Sequence, residues 1–321
     1  IISGTLPNNI TSLTFSREYN HPIEPGVLPS SLKILTFGSE FNQPLAKGTI
    51  PRNLVKLTFG YMFNQDISPG LLHGTLKTLI FGHLYGNLKH TTIVHGSLPF
   101  GLSSLTFGGR FNQVFTKVLL PLSLKSLVLG SDYNTPMKSG ALPLSLVELT
   151  LGRNFQRALH EVSFPSSLKT LYIKDYTHCR YLACQPHSIE HVSFSFMRCI
   201  SFVDALDVTP VVSTLQMLII TANVFDINTM DKLLTLLPIV LDRFPGERVN
   251  TFNLLQLDQS NQSVLMWLKI RVLVDRSTHK RDKLLCIIGY GDHKNIFVDI
   301  LPSGSQPFHS KLWNIIKNSV G

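Results

Sequence analysis

The residues best suited to chemistry cluster in "HCRYLACQPHSIEH", at 178–191. Thiolates and imidazoles at short spacings are ligands that zinc accepts. The spacing Cys-x4-Cys-x2-His is not usual for a structural zinc site, however. Aligning Pro186 with other prolines in the chain also puts two of the histidines at variable positions of a repeat. We therefore predict no metal site and no cofactor at these residues: His178, Cys179, Cys184, His187 and His191.

Two polar segments contain the raw material of hydrolase or phosphate sites: "DRSTHKRD" (275–282) and "GYGDHK" (289–294). Neither forms a nucleophile elbow, a P-loop or a dinucleotide fingerprint. Both resemble polar hairpin turns, so we assign no catalytic residue and predict a chain that is not an enzyme. A pocket lined by Asp292, His293 and His279 would favour the alternative, a regulatory or enzymatic C-terminal domain.

The chain is dominated by a repeat. The segment "LTFGSEFNQPL" (35–45) returns 22 positions later as "LTFGYMFNQDI" (57–67), and related copies begin at Leu13, Leu105 and Leu127. The unit reads G-x-L-P-x-S-L-x-x-L-x-F-G-x-x-F-N-x-P-[IL]. A fixed period of this length predicts a fold built by stacking coils.

Each unit predicts one short strand followed by irregular returns. Alternation along the strand places Leu35 and Phe37 on the inner face and Thr36 on the outer face. Stacking at the strand spacing of ~4.8 Å joins the strands into a parallel sheet and buries the leucines and aromatic residues in columns. The glycine after the strand, such as Gly38, indicates a backbone conformation that a β-carbon would strain.

An asparagine follows the aromatic residue in most copies. Turning coils leave backbone N–H and C=O groups to be satisfied inside, and an asparagine side chain offers both donors and acceptors. We interpret these residues as a structural ladder between coils: Asn20, Asn42, Asn64, Asn112 and Asn134.

These motifs resemble the FNIP repeat family, a leucine-rich-repeat-like solenoid. The resemblance covers roughly residues 3–195, as about nine copies. It implies a binding scaffold without catalytic residues of its own. Because family members carry the repeats beside F-boxes or kinase domains, it also allows substrate recognition for a ubiquitin ligase if an F-box lies upstream. The copies depart from the pattern after Phe155, where Gln156 replaces the asparagine.

The outward strand face is the predicted partner-binding surface. Threonine suits exposed strands, which explains part of the pattern. A long, lightly charged sheet face that offers hydrogen bonds is nevertheless where solenoids usually bind proteins. The predicted face contains Thr14, Thr36, Thr58, Thr78, Thr106, Thr150, Thr170 and Tyr172.

Lysine recurs at one position of every other coil, which spaces the side chains ~10 Å apart. This row could steer an acidic partner, but solubilising charge is the interpretation we favour. Nucleic-acid binding would need the lysines to converge on one patch, and we do not expect it because no Lys/Arg cluster is present. The row contains Lys33, Lys77, Lys125 and Lys169.

The C-terminal third is predicted as an irregular last coil followed by an α+β cap or small domain. Residues 228–244 and 310–320 have helical patterns, and 248–257, 267–275, 283–291 and 295–301 have strand patterns. The predicted fold is therefore mainly β: a leucine-rich-repeat-like solenoid of 22-residue repeats over 1–200, with a C-terminal cap over 201–321.

Composition limits the remaining possibilities. The chain has 44% hydrophobic and 15% charged residues and a net charge of +9, most of it within 1–194. The few cysteines fit a reducing compartment, and neither a signal peptide nor a membrane-length apolar run is visible. We expect a cytoplasmic protein that binds another protein, with no small-molecule substrate and no membrane association.

Overall fold

The computed structural model describes residues 4–86, 92–157, 162–173, 189 and 191–196, together with five further strands given below. It divides into two compact units, Ile1–Leu168 and Lys169–Gly321.

The first unit is a parallel β-solenoid with one three-residue strand per coil. The strands pair in chain order, and equivalent repeat positions are direct partners, such as Leu35 with Leu57 and Leu57 with Leu79. The 22-residue period therefore sets the register of the sheet. The strands are β1 (Ser12–Thr14), β2 (Ile34–Thr36), β3 (Lys56–Thr58), β4 (Thr78–Ile80), β5 (Ser104–Thr106), β6 (Ser126–Val128) and β7 (Glu148–Thr150).

Burial alternates along each strand as the sequence predicts. The central leucine of β2 to β7 has no exposed surface, whereas the residues on either side of it are half-buried or exposed. The prediction of a 22-residue parallel solenoid is confirmed over these seven coils. The expectation of about nine coils in residues 1–200 stays a prediction beyond them.

Two aromatic columns run through the core beside the leucines. The rings of Phe15, Phe37 and Phe59 stack with centroids 5.4 and 5.5 Å apart, nearly parallel. A second column, in which Phe41 and Phe63 lie 6.1 Å apart, packs against the first with ring centroids 3.7 to 4.3 Å apart. This second column consists of Tyr19, Phe41, Phe63, Tyr85, Phe111, Tyr133 and Phe155.

The glycine two residues after each of the strands β2 to β7 is required for a reason other than the one predicted. Gly38, Gly60 and Gly82 lie outside the left-handed region of backbone conformation. A β-carbon on Gly60 would instead overlap the carbonyl oxygen of Gly38, and one on Gly82 would overlap that of Gly60. Close approach of successive coils therefore selects glycine here. Left-handed glycines occur elsewhere in the repeat, as at Gly26, where φ is +79°.

Seven strands are described in the second unit. From β8 (Thr170–Ile173) to β11 the pairing is parallel, and from β11 to β14 it is antiparallel. The others are β9 (His191–Phe196), β10 (Met217–Ala222), β11 (Phe252–Leu257), β12 (Val264–Leu273), β13 (Lys283–Tyr290) and β14 (Asn295–Pro302). The two predicted helices lie outside the described residues. Among the residues that are described, no helix has the length and hydropathy to span a membrane.

Candidate partner-binding surfaces

The outward face of the first unit's sheet presents two straight columns of side chains, one on each side of the strand leucine. Register pairing places Thr14 beside Thr36 and Thr36 beside Thr58. This column continues through Ile80, Thr106, Val128 and Thr150. Thr14 is exposed and the other threonines of the column are half-buried.

Thr78 belongs to the second outward column, between Lys56 and Ser104. The whole column is Ser12, Ile34, Lys56, Thr78, Ser104, Ser126 and Glu148. Lys56 and Glu148 are the charged residues of the two columns, so this surface combines hydroxyl groups with aliphatic side chains.

Thr170 and Tyr172 lie on β8, in the second unit. Thr170 is half-buried and pairs in register with His191, and Tyr172 is 39% exposed and pairs with Ser193. They form an outward-facing pair within the second unit.

The lysine row lies immediately before the strands, where Lys33, Lys77 and Lys125 are exposed. Their backbones hold the coils together, since the Lys33 carbonyl accepts the N–H groups of Val55 at 2.8 Å and Lys56 at 2.9 Å. The Lys77 Nζ donates to the Gly101 carbonyl at 3.2 Å. Lys169 is exposed and belongs to the second unit.

The asparagines connect successive coils through hydrogen bonds. The Asn20 Oδ1 accepts the N–H of Asn42 at 2.9 Å, and the Asn42 Oδ1 accepts the N–H of Asn64 at the same distance. The Asn64 Oδ1 accepts the N–H of Gly86 at 3.0 Å. The same bond joins Asn112 to Asn134 and Asn134 to Gln156. Gln156 keeps the bond because its backbone, not its side chain, is the donor.

A hydroxyl ladder at the serine of the P-x-S-L motif was not anticipated from the sequence. Ser31 Oγ donates to the carbonyl of Ile10 at 2.6 Å, and Ser145 Oγ donates to that of Leu124 at 2.7 Å. Thr75 Oγ1 donates to the carbonyl of Arg52, which lies two residues before the equivalent acceptor. The regular recurrence of a small hydroxyl residue two positions after the proline is the signal that could have revealed it.

Sequence reasoning also missed an apolar surface column. The residue after the repeat proline is 83% exposed at Phe100, 80% at Leu122 and 77% at Leu144. The signal was present in the repeat alignment, where this position changes from polar to large and apolar part-way along the chain.

The chemistry-bearing clusters lie almost entirely outside the described residues. His178, Cys179, Cys184 and His187 lie there, as do His279, Asp292 and His293 on which the alternative of an enzymatic C-terminal domain depends. His191 is half-buried at the start of β9. Within the part of the chain that the structure describes, no group of three or more His, Cys, Asp or Glu residues could hold a metal ion.

The parallel strands, leucine columns and coil-to-coil ladders define a leucine-rich-repeat-like solenoid. The family model described as FNIP Repeat matches residues 1–40, 41–83, 91–132 and 111–154. The chain therefore contains FNIP repeats over residues 1–83 and 91–154.

Among solved structures, the chain is similar to CroV588, described as a novel circular leucine-rich-repeat protein, with 32% identity and a TM-score of 0.57. The alignment covers 70% of this chain and 32% of CroV588, so the chain spans about a third of that structure's length. No curated protein matches the chain.

Proposed function

We propose that the chain is a non-enzymatic scaffold that binds a protein partner on the outward strand face of its first unit. Repeat solenoids of this kind generally bind proteins across an extended surface. The supporting observation is the in-register pairing of Thr14, Thr36 and Thr58, continued to Thr150 by the strands that follow. Over seven strands this surface is about 30 Å long, from the spacing between paired strands.

The chemistry of the face suits a protein surface. Its threonine and serine hydroxyls donate and accept hydrogen bonds, and the aliphatic side chains of Ile80 and Val128 interrupt them. With few charges to desolvate, a partner of mixed polarity docks at low cost, because burying an unpaired charge is the largest penalty at an interface.

The test places three carboxylates in the middle of the face. A variant with Thr36→Glu, Thr58→Glu and Thr106→Glu is compared with the unchanged chain in affinity capture from a lysate of the source organism. The matched control adds three glutamates at exposed positions after repeat prolines, with Asn8→Glu, Ser30→Glu and Ser166→Glu.

We expect the unchanged chain and the control to retain the same specific partner, and the strand-face variant to lose it while keeping its circular dichroism spectrum and melting temperature. Equal capture by all three proteins would refute the strand face as the binding site.

The family resemblance extends the proposal to protein degradation. If an F-box accompanies the repeats in the full-length protein, the partner captured on the strand face is the substrate of a ubiquitin ligase. Such a partner should become less ubiquitinated in cells expressing the strand-face variant. An unchanged level of ubiquitination would leave a scaffold role without ligase activity.

A further inference from the structure

The position after the repeat proline changes character along the solenoid. It is Asn8, Ser30 and Arg52 in the first three coils and Gly74 in the fourth. In the next three coils it is Phe100, Leu122 and Leu144, each more than three-quarters exposed. The apolar residues are confined to consecutive coils, so they form one local surface.

The three side chains are close neighbours. Each lies four residues before a strand residue, and these strand residues pair in register as Ser104 with Ser126 and Ser126 with Glu148. The coil spacing is therefore that of paired strands, ~4.8 Å.

The ring of Phe100 lies against Gly74, where the β-carbon of any other residue would overlap it. Phe100, Leu122 and the 64% exposed Val118 line an open groove of about 640 Å³. Leu144 extends the same row by one coil.

This surface is positively charged. Lys117 lines the groove itself. The segments that contribute to the groove or flank it, 68–77, 92–103, 114–125 and 136–147, also contain Lys77, Lys125 and Lys138, and neither an aspartate nor a glutamate. The Lys77 Nζ lies on the carbonyl of Gly101, next to Phe100. The aliphatic part of the Lys117 side chain lies beside Gly140, in the coil that carries Leu144.

We propose that this apolar and cationic groove, formed around Phe100, Leu122 and Leu144, docks a short acidic segment of another protein. Apolar side chains of that segment cover the three residues. Binding is favourable because it removes from water the apolar surface that is exposed in the folded chain. Its carboxylates pair with Lys77, Lys117 and Lys138 and set the orientation. A second copy of this chain does not fit, because it would bring the same lysines against one another.

A groove of about 650 Å³, lined mainly by the first three coils and reaching Gly70 and His73 of the fourth, provides an internal comparison. It is lined by Asn8, Ser30 and Arg52 at the equivalent positions and also includes Lys47. This groove has positively charged side chains but lacks the apolar column. A ligand that is attracted by charge alone should therefore bind to both grooves, whereas the proposed acidic and apolar segment should prefer the groove at Phe100.

The test begins with a random ten-residue peptide library displayed on phage and selected on the whole chain. We expect the enriched sequences to combine Asp or Glu with Leu or Phe. Binding of one enriched peptide, labelled with fluorescein, is then measured by fluorescence anisotropy. We expect the affinity to fall by about tenfold or more in the variant Phe100→Ser, Leu122→Ser, Leu144→Ser, since exposed apolar anchors dominate such interfaces.

Charge is tested with a matched pair of lysines. Lys117 and Lys47 occupy the same repeat position, in coils with and without the apolar column. Lys117→Glu should weaken peptide binding severalfold. Lys47→Glu should weaken it less, because Lys47 lies beside Gly70 at the edge of the groove, farther from Leu122, and screening weakens a surface charge over about 10 Å at ordinary salt. Both variants should retain the melting temperature of the unchanged chain.

Two controls make the result decisive. Serine occurs naturally at this repeat position as Ser30 and Ser166, so the triple serine variant should fold normally. The strand-face variant with glutamates at Thr36, Thr58 and Thr106 should bind the peptide with unchanged affinity. Failure of the strand-face proposal is therefore distinguishable from failure of this one.

Vesicles of phosphatidylcholine with and without phosphatidylserine test a lipid surface as the occupant. Cosedimentation that requires phosphatidylserine and Phe100, without enrichment of acidic peptides, would overturn the proposal. Enrichment of non-acidic peptides, equal binding to the triple serine variant, or no enrichment at all would also overturn it.

Discussion

At the scale of single residues, the second aromatic column contains both phenylalanine and tyrosine. Its tyrosines lower the stability of the fold where their hydroxyl groups are buried without a hydrogen-bond partner. The hydroxyls of Tyr85 and Tyr133 are buried in the core, and that of Tyr85 has no hydrogen-bond partner among the described residues. Phe63 and Phe111 occupy the equivalent place in the neighbouring coils without a hydroxyl. The column is therefore held by ring packing, to which the Tyr85 hydroxyl contributes nothing favourable.

Tyr85→Phe should raise the free energy of unfolding by about 1 kcal/mol, because it removes a buried polar group that has no partner. The reverse change, Phe63→Tyr, should lower it by about 1–3 kcal/mol for the same reason. Urea denaturation followed by circular dichroism measures both. A loss of stability in Tyr85→Phe would mean that the hydroxyl makes a hydrogen bond.

The same tyrosines make folding sensitive to alkaline pH. Burial and the Asp66 carboxylate raise the pKa of Tyr85, and burial raises the pKa of Tyr133 to about 12, an increase that Thr135 partly offsets. The fold thus favours the neutral phenol, and its contribution is complete below the ordinary tyrosine pKa of about 10. We expect stability to fall as the pH rises from about 10 toward 12, and Tyr85→Phe with Tyr133→Phe to delay that loss. Identical alkaline transitions in both proteins would contradict this.

The asparagine ladder supplies a third prediction at this scale. Asn42 Oδ1 accepts the N–H of Asn64 and the Nε2 of Gln65, and it lies at a part-buried coil junction. Asn42→Ala should cost about 1–3 kcal/mol, because it leaves a backbone donor without a partner. Asn42→Asp keeps an acceptor oxygen and should cost less. Equal losses in the two variants, measured by thermal denaturation, would show that the hydrogen bond contributes little.

At the scale of the element, the strands of the first unit are three residues long, and from β2 to β7 the glycine two residues after each strand passes close to the preceding coil. Gly60→Ala would force a β-carbon into the Gly38 carbonyl, and backbone on both sides prevents simple relaxation. We expect a loss of more than about 3 kcal/mol, the range of severe overpacking.

Gly26→Ala is the matched control for this strand-end glycine. Its β-carbon meets no atom within 4 Å, although its φ is +79°. It should cost only about 1 kcal/mol, as expected for left-handed backbone alone. A comparable loss at both positions, measured by denaturant titration, would argue that backbone conformation and not coil contact selects glycine after the strand.

At the scale of the whole molecule, the first unit is a stack in which each coil contacts its neighbours. Deletion of residues 45–66, one full period, joins Pro44 to Ile67 and leaves β2 beside β4 with their leucines aligned. Such arrays lose roughly one repeat and one interface per deletion. We expect a cooperative fold of lower stability.

Deletion of residues 45–55, half a period, is the control. It removes the return that carries the chain back to the sheet, so cooperative unfolding should be lost. If both deletions behaved alike in thermal denaturation, the stacking principle would be wrong for this chain.

The sequence by itself determined the architecture of the first unit. Parallel stacking follows from three features of the sequence: the 22-residue period, the leucine in every strand of this unit, and the pair of aromatic residues four positions apart in most coils. Neighbouring coils with the same pattern bury the same side chains at every step. It also indicated which residues face outward, since strand side chains alternate. Local pattern was sufficient for these features, and it led to the FNIP family.

Only the tertiary structure decided what depends on contacts between coils. The sequence shows a glycine shortly after most strands of the first unit, but it does not show why glycine is needed. The reason is the close approach of the carbonyl oxygen in the previous coil, which is 22 residues away along the chain in most coils. The exposure of Phe100, Leu122 and Leu144 was established only in the folded stack, because hydrophobicity alone predicts burial and the repeat alignment shows no more than a change from polar to apolar residues. Whether a large apolar side chain enters the core or faces solvent depends on where each coil turns, which the folded stack fixes.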